Sequence, residues 1–88
     1  MAGNSSTKIS FALPKAGTMK LPIYDLRGNE AKTLVHEHRS AGRHEVIWDG
    51  RNRVGEIVAA GVYLYRLTIE RENGAAPMVM TKKFMFLK

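Results

Sequence analysis

The chain has 88 residues, with 14 Lys and Arg against 8 Asp and Glu, a formal charge of +6, and no cysteine. That length makes one domain at most, and a fold of this size buries only about 60–65% of its unfolded surface, leaving little stability in reserve for a deep pocket. The missing cysteines exclude a disulfide scaffold and every thiolate metal site, while the basic balance favours acidic partners such as nucleic acid, anionic glycans or lipid head groups.

The charges are spread along the chain, and the longest basic run is Lys82-Lys83. A nucleic-acid footprint is normally clustered and interleaved with aromatics, so nucleic acid is not an expected partner. No apolar run approaches the ~20 residues of a membrane span. The opening Met1-Ala2-Gly3-Asn4-Ser5-Ser6 lacks the charged and apolar regions of a signal peptide and reads as a cloning start on an excised domain. Residues 1–6 are therefore expected to be a disordered tag or linker, and residues 7–88 a single domain.

Thr7 to Leu13 alternates, with Ile9, Phe11 and Leu13 on one face, which predicts a strand. Pro14-Lys15-Ala16-Gly17 breaks it. Thr18 to Leu26 alternates again with Met19, Leu21 and Ile23 inward; Pro22 falls in the outward register and predicts an edge position or a bulge. Asp25 to Glu30 is a turn in which Asp25 accepts from backbone N–H groups ahead of it and Gly28 or Asn29 takes positive φ. Ala31 to Val35 predicts a third strand with a polar continuation, His36 to Arg39. Arg43 to Asp49 predicts a fourth, with His44, Val46 and Trp48 on one face.

Asp49 to Gly55 is a loop rich in turn formers, and Glu56 to Ala59 predicts a short strand. Val62 to Arg71 is the strongest strand, with Tyr63, Tyr65, Leu67 and Ile69 on one face and Val62, Leu64, Arg66 and Thr68 on the other. Glu72 to Pro77 closes a hairpin, and Met78 to Leu87 is the last strand. Six or seven short strands divided by turn signals, without a helical period, predict an all-β antiparallel sandwich.

The run LPKAG (13–17), IYDLRGNE (23–30), LV (34–35), SAGRHEVIWDGRNRVGE (40–56), VAAGVYLYRL (58–67) and TKKFMFLK (81–88) resembles the immunoglobulin-like domain named after the flagellar hook-capping protein FlgD. It is also similar to the C-terminal sorting domains of proteins exported by the type IX secretion system. No single motif carries this; their order and spacing over residues 7–88 do. The resemblance implies an immunoglobulin-like β-sandwich of about seven strands, C-terminal in a larger secreted or cell-surface protein of a Gram-negative bacterium. It implies a non-enzymatic accessory role in export sorting and surface attachment, with secretion machinery, a surface protein or a parent catalytic domain as partners. The alternatives it leaves are a hook-cap-like assembly module and, from the charge and the neighbouring aromatics, a binder of acidic carbohydrate.

Three segments match the sorting pattern: Leu13 to Gly17, Gly61-Val62-Tyr63, and the last strand with Lys82, Lys83 and Lys88. Gly61, Tyr63, Lys82, Lys83 and Lys88 are thus the implied recognition residues. One departure is visible: the Pro-Asn-Pro type leader of sorting domains is replaced by Gly3 to Thr7.

Each candidate site has a structural alternative. Trp48-Asp49-Gly50 offers a recognition tryptophan, but reads better as a core plug followed by a turn. Asp49, Asn52 and Glu56 raise calcium, yet Arg51 and Arg53 oppose a cation, so turn caps are expected. His36 and His38 share a strand face and raise zinc, with His44 as a third ligand across a hairpin; an exposed polar hairpin is the simpler expectation. Serines 5, 6, 10 and 40 lack a nucleophile-elbow context, so no catalysis, cofactor or metal is expected. Tyr63 and Tyr65 would suit base or sugar stacking, but alternate as core residues do. The last strand reads equally as a half-buried strand and as an edge open to β-addition by a receptor or a second copy.

Overall fold

The computed structural model describes residues 6–71 and 74–87. The expectations for Met1 to Ser5, for Glu72 and Asn73 in the last hairpin turn, and for Lys88 lie outside the described residues. Six strands form: β1 (Thr7–Leu13), β2 (Gly17–Asp25), β3 (Glu30–Arg39), β4 (Gly42–Trp48), β5 (Gly61–Glu70) and β6 (Met78–Phe86). All pairings are antiparallel. β1 and β4 make a two-stranded sheet, and the second sheet runs β3-β2-β5-β6.

The period-two pattern decides which faces meet. Ile9, Phe11 and Leu13 of β1, Met19, Leu21 and Ile23 of β2, Val35 of β3, Trp48 of β4, Tyr63, Tyr65, Leu67 and Ile69 of β5, and Phe86 of β6 form one buried cluster. Burying a large apolar side chain stabilises by about 1.5–3 kcal/mol relative to leaving it exposed, and this cluster supplies the only large apolar interior. Among the described residues no charged or polar side chain is buried within it.

Three expectations are corrected. The predicted strand over Glu56 to Ala59 is absent, which leaves six strands rather than seven; the segment contributes one isolated bridge, Arg51↔Ile57, because loop caps occupy its backbone groups. Pro22 is buried on a central strand, not at an edge. Its missing N–H is accommodated by the other predicted device: the β2–β3 register slips between Leu21 and Pro22, and the β2–β5 ladder is interrupted between Lys20↔Thr68 and Ile23↔Tyr65. Finally, β3 and β4 are consecutive but unpaired. The chain crosses from one sheet to the other at Ser40-Ala41, so His36 and His38 do not face His44 across a hairpin.

The β2–β3 turn is built as its sequence predicts. Asp25 Oδ1 accepts from the N–H groups of Arg27 and Asn29, each at 2.9 Å, and Gly28 takes φ +89°. These bonds, that from Asn29 foremost, hold the Asp25 carboxyl below its ordinary value of 3.8. A carboxylate whose pKa is lower in the folded state stabilises the fold above the unfolded pKa and loses that contribution as pH falls through the folded one. Asp25→Ala should therefore lower the melting temperature at neutral pH, and its gap from the parent should shrink below pH 3.8. Thermal melts at the two conditions check this; a gap independent of pH would mean the carboxylate charge contributes nothing.

Candidate functional site

The β4–β5 connection begins at Trp48, which is fully buried. Its ring lies 5.3 Å from Tyr63, 5.8 Å from Phe84 and 5.2 Å from Phe86 between centroids, the first two edge-on. Trp48 thus ties the two-stranded sheet to β5 and β6, and its Nε1–H donates to the Arg51 carbonyl at 2.9 Å, so the one polar atom of the ring is satisfied. No face of the indole remains for a ligand.

The loop after it is closed by its own polar groups. Asp49 Oδ1 accepts from the Arg51 N–H at 3.1 Å. Asn52 Oδ1 accepts from Val54 and Glu56 N–H groups at 3.1 and 3.0 Å, and the Arg51 guanidinium donates to the Gly55 carbonyl at 2.7 Å. The Val58 N–H donates to Gly50 at 2.8 Å, and the Arg53 N–H reaches Ala31 of β3 at 3.1 Å. The oxygens of Asp49 and Asn52 are spent on backbone donors, as turn caps are. Gly50 takes φ +78° with its α-carbon directly against the Phe86 ring.

Of the residues implied as a recognition signal, Tyr63 is buried, and its hydroxyl donates to the Ala59 carbonyl at 2.6 Å. Burial first, then the Asp25 charge, raises its pKa above 10.0, and burial does the same for Tyr65. Both phenols are core groups, and neither is placed to stack a base or a sugar; Tyr63 acts through packing. Gly61 opens β5 at φ +151° and is half-buried. Lys82 and Lys83 are exposed on opposite sides of β6, the first opposite Tyr65 and the second opposite Leu64. They do not form one patch. β6 is an edge strand, and Val79, Met85 and Leu87 are 54%, 60% and 66% exposed along it.

His44 stacks on Phe11 at 5.6 Å, and its Nε2 lies 2.8 Å from the Ser40 carbonyl. A shallow concavity along the β1–β4 pair is lined by Ser10, Phe11, His44 and Glu45. Ser10 lies opposite Glu45 in the ladder, whereas His44 lies opposite Phe11, so the serine and histidine project to different sides of the sheet. Among the described residues no three His, Asp or Glu side chains come together as a metal set.

Sequence reasoning missed the outer face of the four-stranded sheet. There the Arg66 guanidinium lies 5.4 Å above the Tyr24 ring, and Tyr24, Leu64 and Lys83 form one cross-strand row. Alternation alone put Leu64 and Arg66 outward; which strands flank them was the missing information.

Fold and surface together define an immunoglobulin-like sandwich whose large aromatic groups are interior and whose chemistry lies on its faces and edges. The family model described as the FlgD Ig-like domain matches residues 1–74, and the chain belongs to that family. The crystal structure of FlgD from Xanthomonas campestris, whose title speaks of hook capping essential for flagellar assembly, is similar at 29% identity and TM-score 0.69, over 94% of this chain and 55% of that one. FlgD from P. aeruginosa is similar in fold at 20% identity and TM-score 0.70, over 92% of this chain and 56% of that one. The chain therefore spans little more than half the length of these solved chains. The search of curated proteins gives no match.

Proposed function

We propose that the chain is a structural assembly module of the hook-capping type, part of a larger exported protein and working by protein–protein contact. The carrying observation is its membership of the FlgD Ig-like family over residues 1–74, together with its likeness to a hook-capping protein over 94% of its own length. The closed sandwich supports the same reading. Its aromatic groups brace the two sheets, so the part that meets other molecules is the exterior. The open edge of β6 offers unpaired backbone groups to a neighbouring subunit or a second copy.

This reading replaces export sorting as the first expectation, because the matching family and both similar structures are flagellar. It also stands ahead of carbohydrate binding, since Tyr63 and Tyr65 are buried and leave no paired aromatic platform.

A chimera tests it. The matching immunoglobulin-like part of X. campestris FlgD is replaced by this chain and expressed in a strain lacking its own FlgD. Hooks of normal length, seen by electron microscopy, are the expected result. A chimera that accumulates in folded form at normal levels yet builds no hooks would overturn the proposal.

A further inference from the structure

The strand register assembles a line of cations that is invisible along the chain. On the outer face of the four-stranded sheet, His36 of β3 lies opposite Lys20 of β2, and Lys20 lies opposite Thr68 of β5. Two residues back along β5 is Arg66, and two further is Leu64, which lies opposite Lys83 of β6. Side chains two apart share a face, so His36, Lys20, Arg66 and Lys83 cross all four strands in a diagonal band. Neighbouring strands stand about 4.8 Å apart with a rise of about 3.4 Å per residue, which puts Lys20, Arg66 and Lys83 about 8 Å from one another in turn. All four are exposed.

Among the described residues no carboxylate pairs with Lys20, Arg66 or Lys83; the recorded ion pairs lie elsewhere, at Lys8–Glu45, Arg39–Glu37 and Arg51–Asp49. Glu70, opposite Thr18, stands at one end of the face. The positions between the cations are Thr68, Thr81, Leu64 and Val79, and Val62 with Met85 adds an aliphatic border. Like charges this close raise the free energy of the uncovered face, and a facing anion relieves it.

We infer that this diagonal is a docking surface for an acidic segment of a different protein. A second copy laid on the same face would set cations against cations, so this surface does not serve self-association. The face is flat, and its aromatic ring, Tyr24, is already covered by the Arg66 guanidinium. That leaves no ring for bases or sugars to stack on, whereas a mixture of cations and aliphatic groups suits carboxylates flanked by apolar side chains. The inference deepens the assembly reading, on which it rests for the partner being a protein.

The test is a binding titration of the full chain, isotope-labelled for NMR, with poly-L-glutamate at low salt. Amide shifts are expected to concentrate on β2, β5 and β6 around Lys20, Arg66 and Lys83 and to fade as salt rises. The triple variant Lys20→Glu, Arg66→Glu, Lys83→Glu should bind at least tenfold more weakly with its melting temperature kept. The control Lys8→Glu, Arg43→Glu on the other sheet should bind within about twofold of the parent, a difference small beside the tenfold step that corresponds to 1.4 kcal/mol. Shifts scattered over both sheets, or equal losses in the two variants, would overturn the surface. Tighter binding of heparin or single-stranded DNA of matched charge would overturn the protein partner. The hook experiment reads assembly and this one reads the surface, so either can fail alone.

Discussion

Trp48→Ala is expected to cost about 3–5 kcal/mol, the range for truncating a buried large aromatic. A domain is held folded by roughly 5–15 kcal/mol, so the variant sits close to its unfolding threshold. Two effects add. The indole fills the space between β4 and the Tyr63–Phe84–Phe86 group, and no other side chain of β4 is buried to replace it. Its N–H also satisfies the Arg51 carbonyl, which fixes the start of the β4–β5 loop. Trp48→Phe separates them, because it keeps most of the volume and loses the hydrogen bond; about 1–3 kcal/mol is expected there. Denaturant midpoints of the three proteins check this. A loss below about 1 kcal/mol for the alanine variant would show that the sheets are not held together at this point.

Gly50→Ala is the second large effect, and its size is out of proportion to one methyl group. A side chain at φ +78° carries roughly 1–2 kcal/mol of backbone strain. The added carbon would also overlap the Phe86 ring. That ring is buried and wedged by Trp48 at 5.2 Å, so it cannot swing away cheaply, and overpacking of this kind costs about 1–3 kcal/mol. The sum is about 2–5 kcal/mol. Gly55→Ala is the control: it has a similar φ of +88° with open space around the new carbon, and should show the backbone part alone. Equal losses at Gly50 and Gly55 would remove the clash from the account.

Much of the architecture was legible because a strand writes its burial into the sequence directly. Ile9, Phe11 and Leu13, then Met19, Leu21 and Ile23, then Tyr63 through Ile69, appear inward in the structure as alternation predicts. The Asp25 turn was equally readable, since its hydrogen bonds span four residues at most. Where the reading missed, long-range pairing intervened. Pro22 was assigned to an edge on the rule that a missing N–H needs open space, but a register slip supplied that space on a central strand. The segment Glu56 to Ala59 has strand-like residues, yet Asn52 and Gly50 take its N–H groups before a partner strand can. His36 and His44 were joined across a hairpin because they are neighbours in sequence, while the chain in fact changes sheets between them.

The candidate site divides in the same way. Trp48 as a plug and Asp49-Gly50 as a turn follow from residue types, although nothing in the sequence tells that Gly50 must leave room for Phe86, thirty-six positions later by subtraction (86 − 50 = 36). Lys82 and Lys83 look like one basic pair on paper and become two separate charges once the pleat sends them to opposite faces.

By itself the sequence determined the strand segments, the inward side of each, the local turns and the family, because all of these rest on contacts between near neighbours or on a period of two. Only the tertiary structure decided which strands lie side by side, that Pro22 is interior, and that Lys20, Arg66 and Lys83 stand in one line. Hydrogen-bonded pairing between distant segments has no local signature: the same alternating strand satisfies its backbone against any partner of the right length, and burial of the whole set of inward faces selects one arrangement.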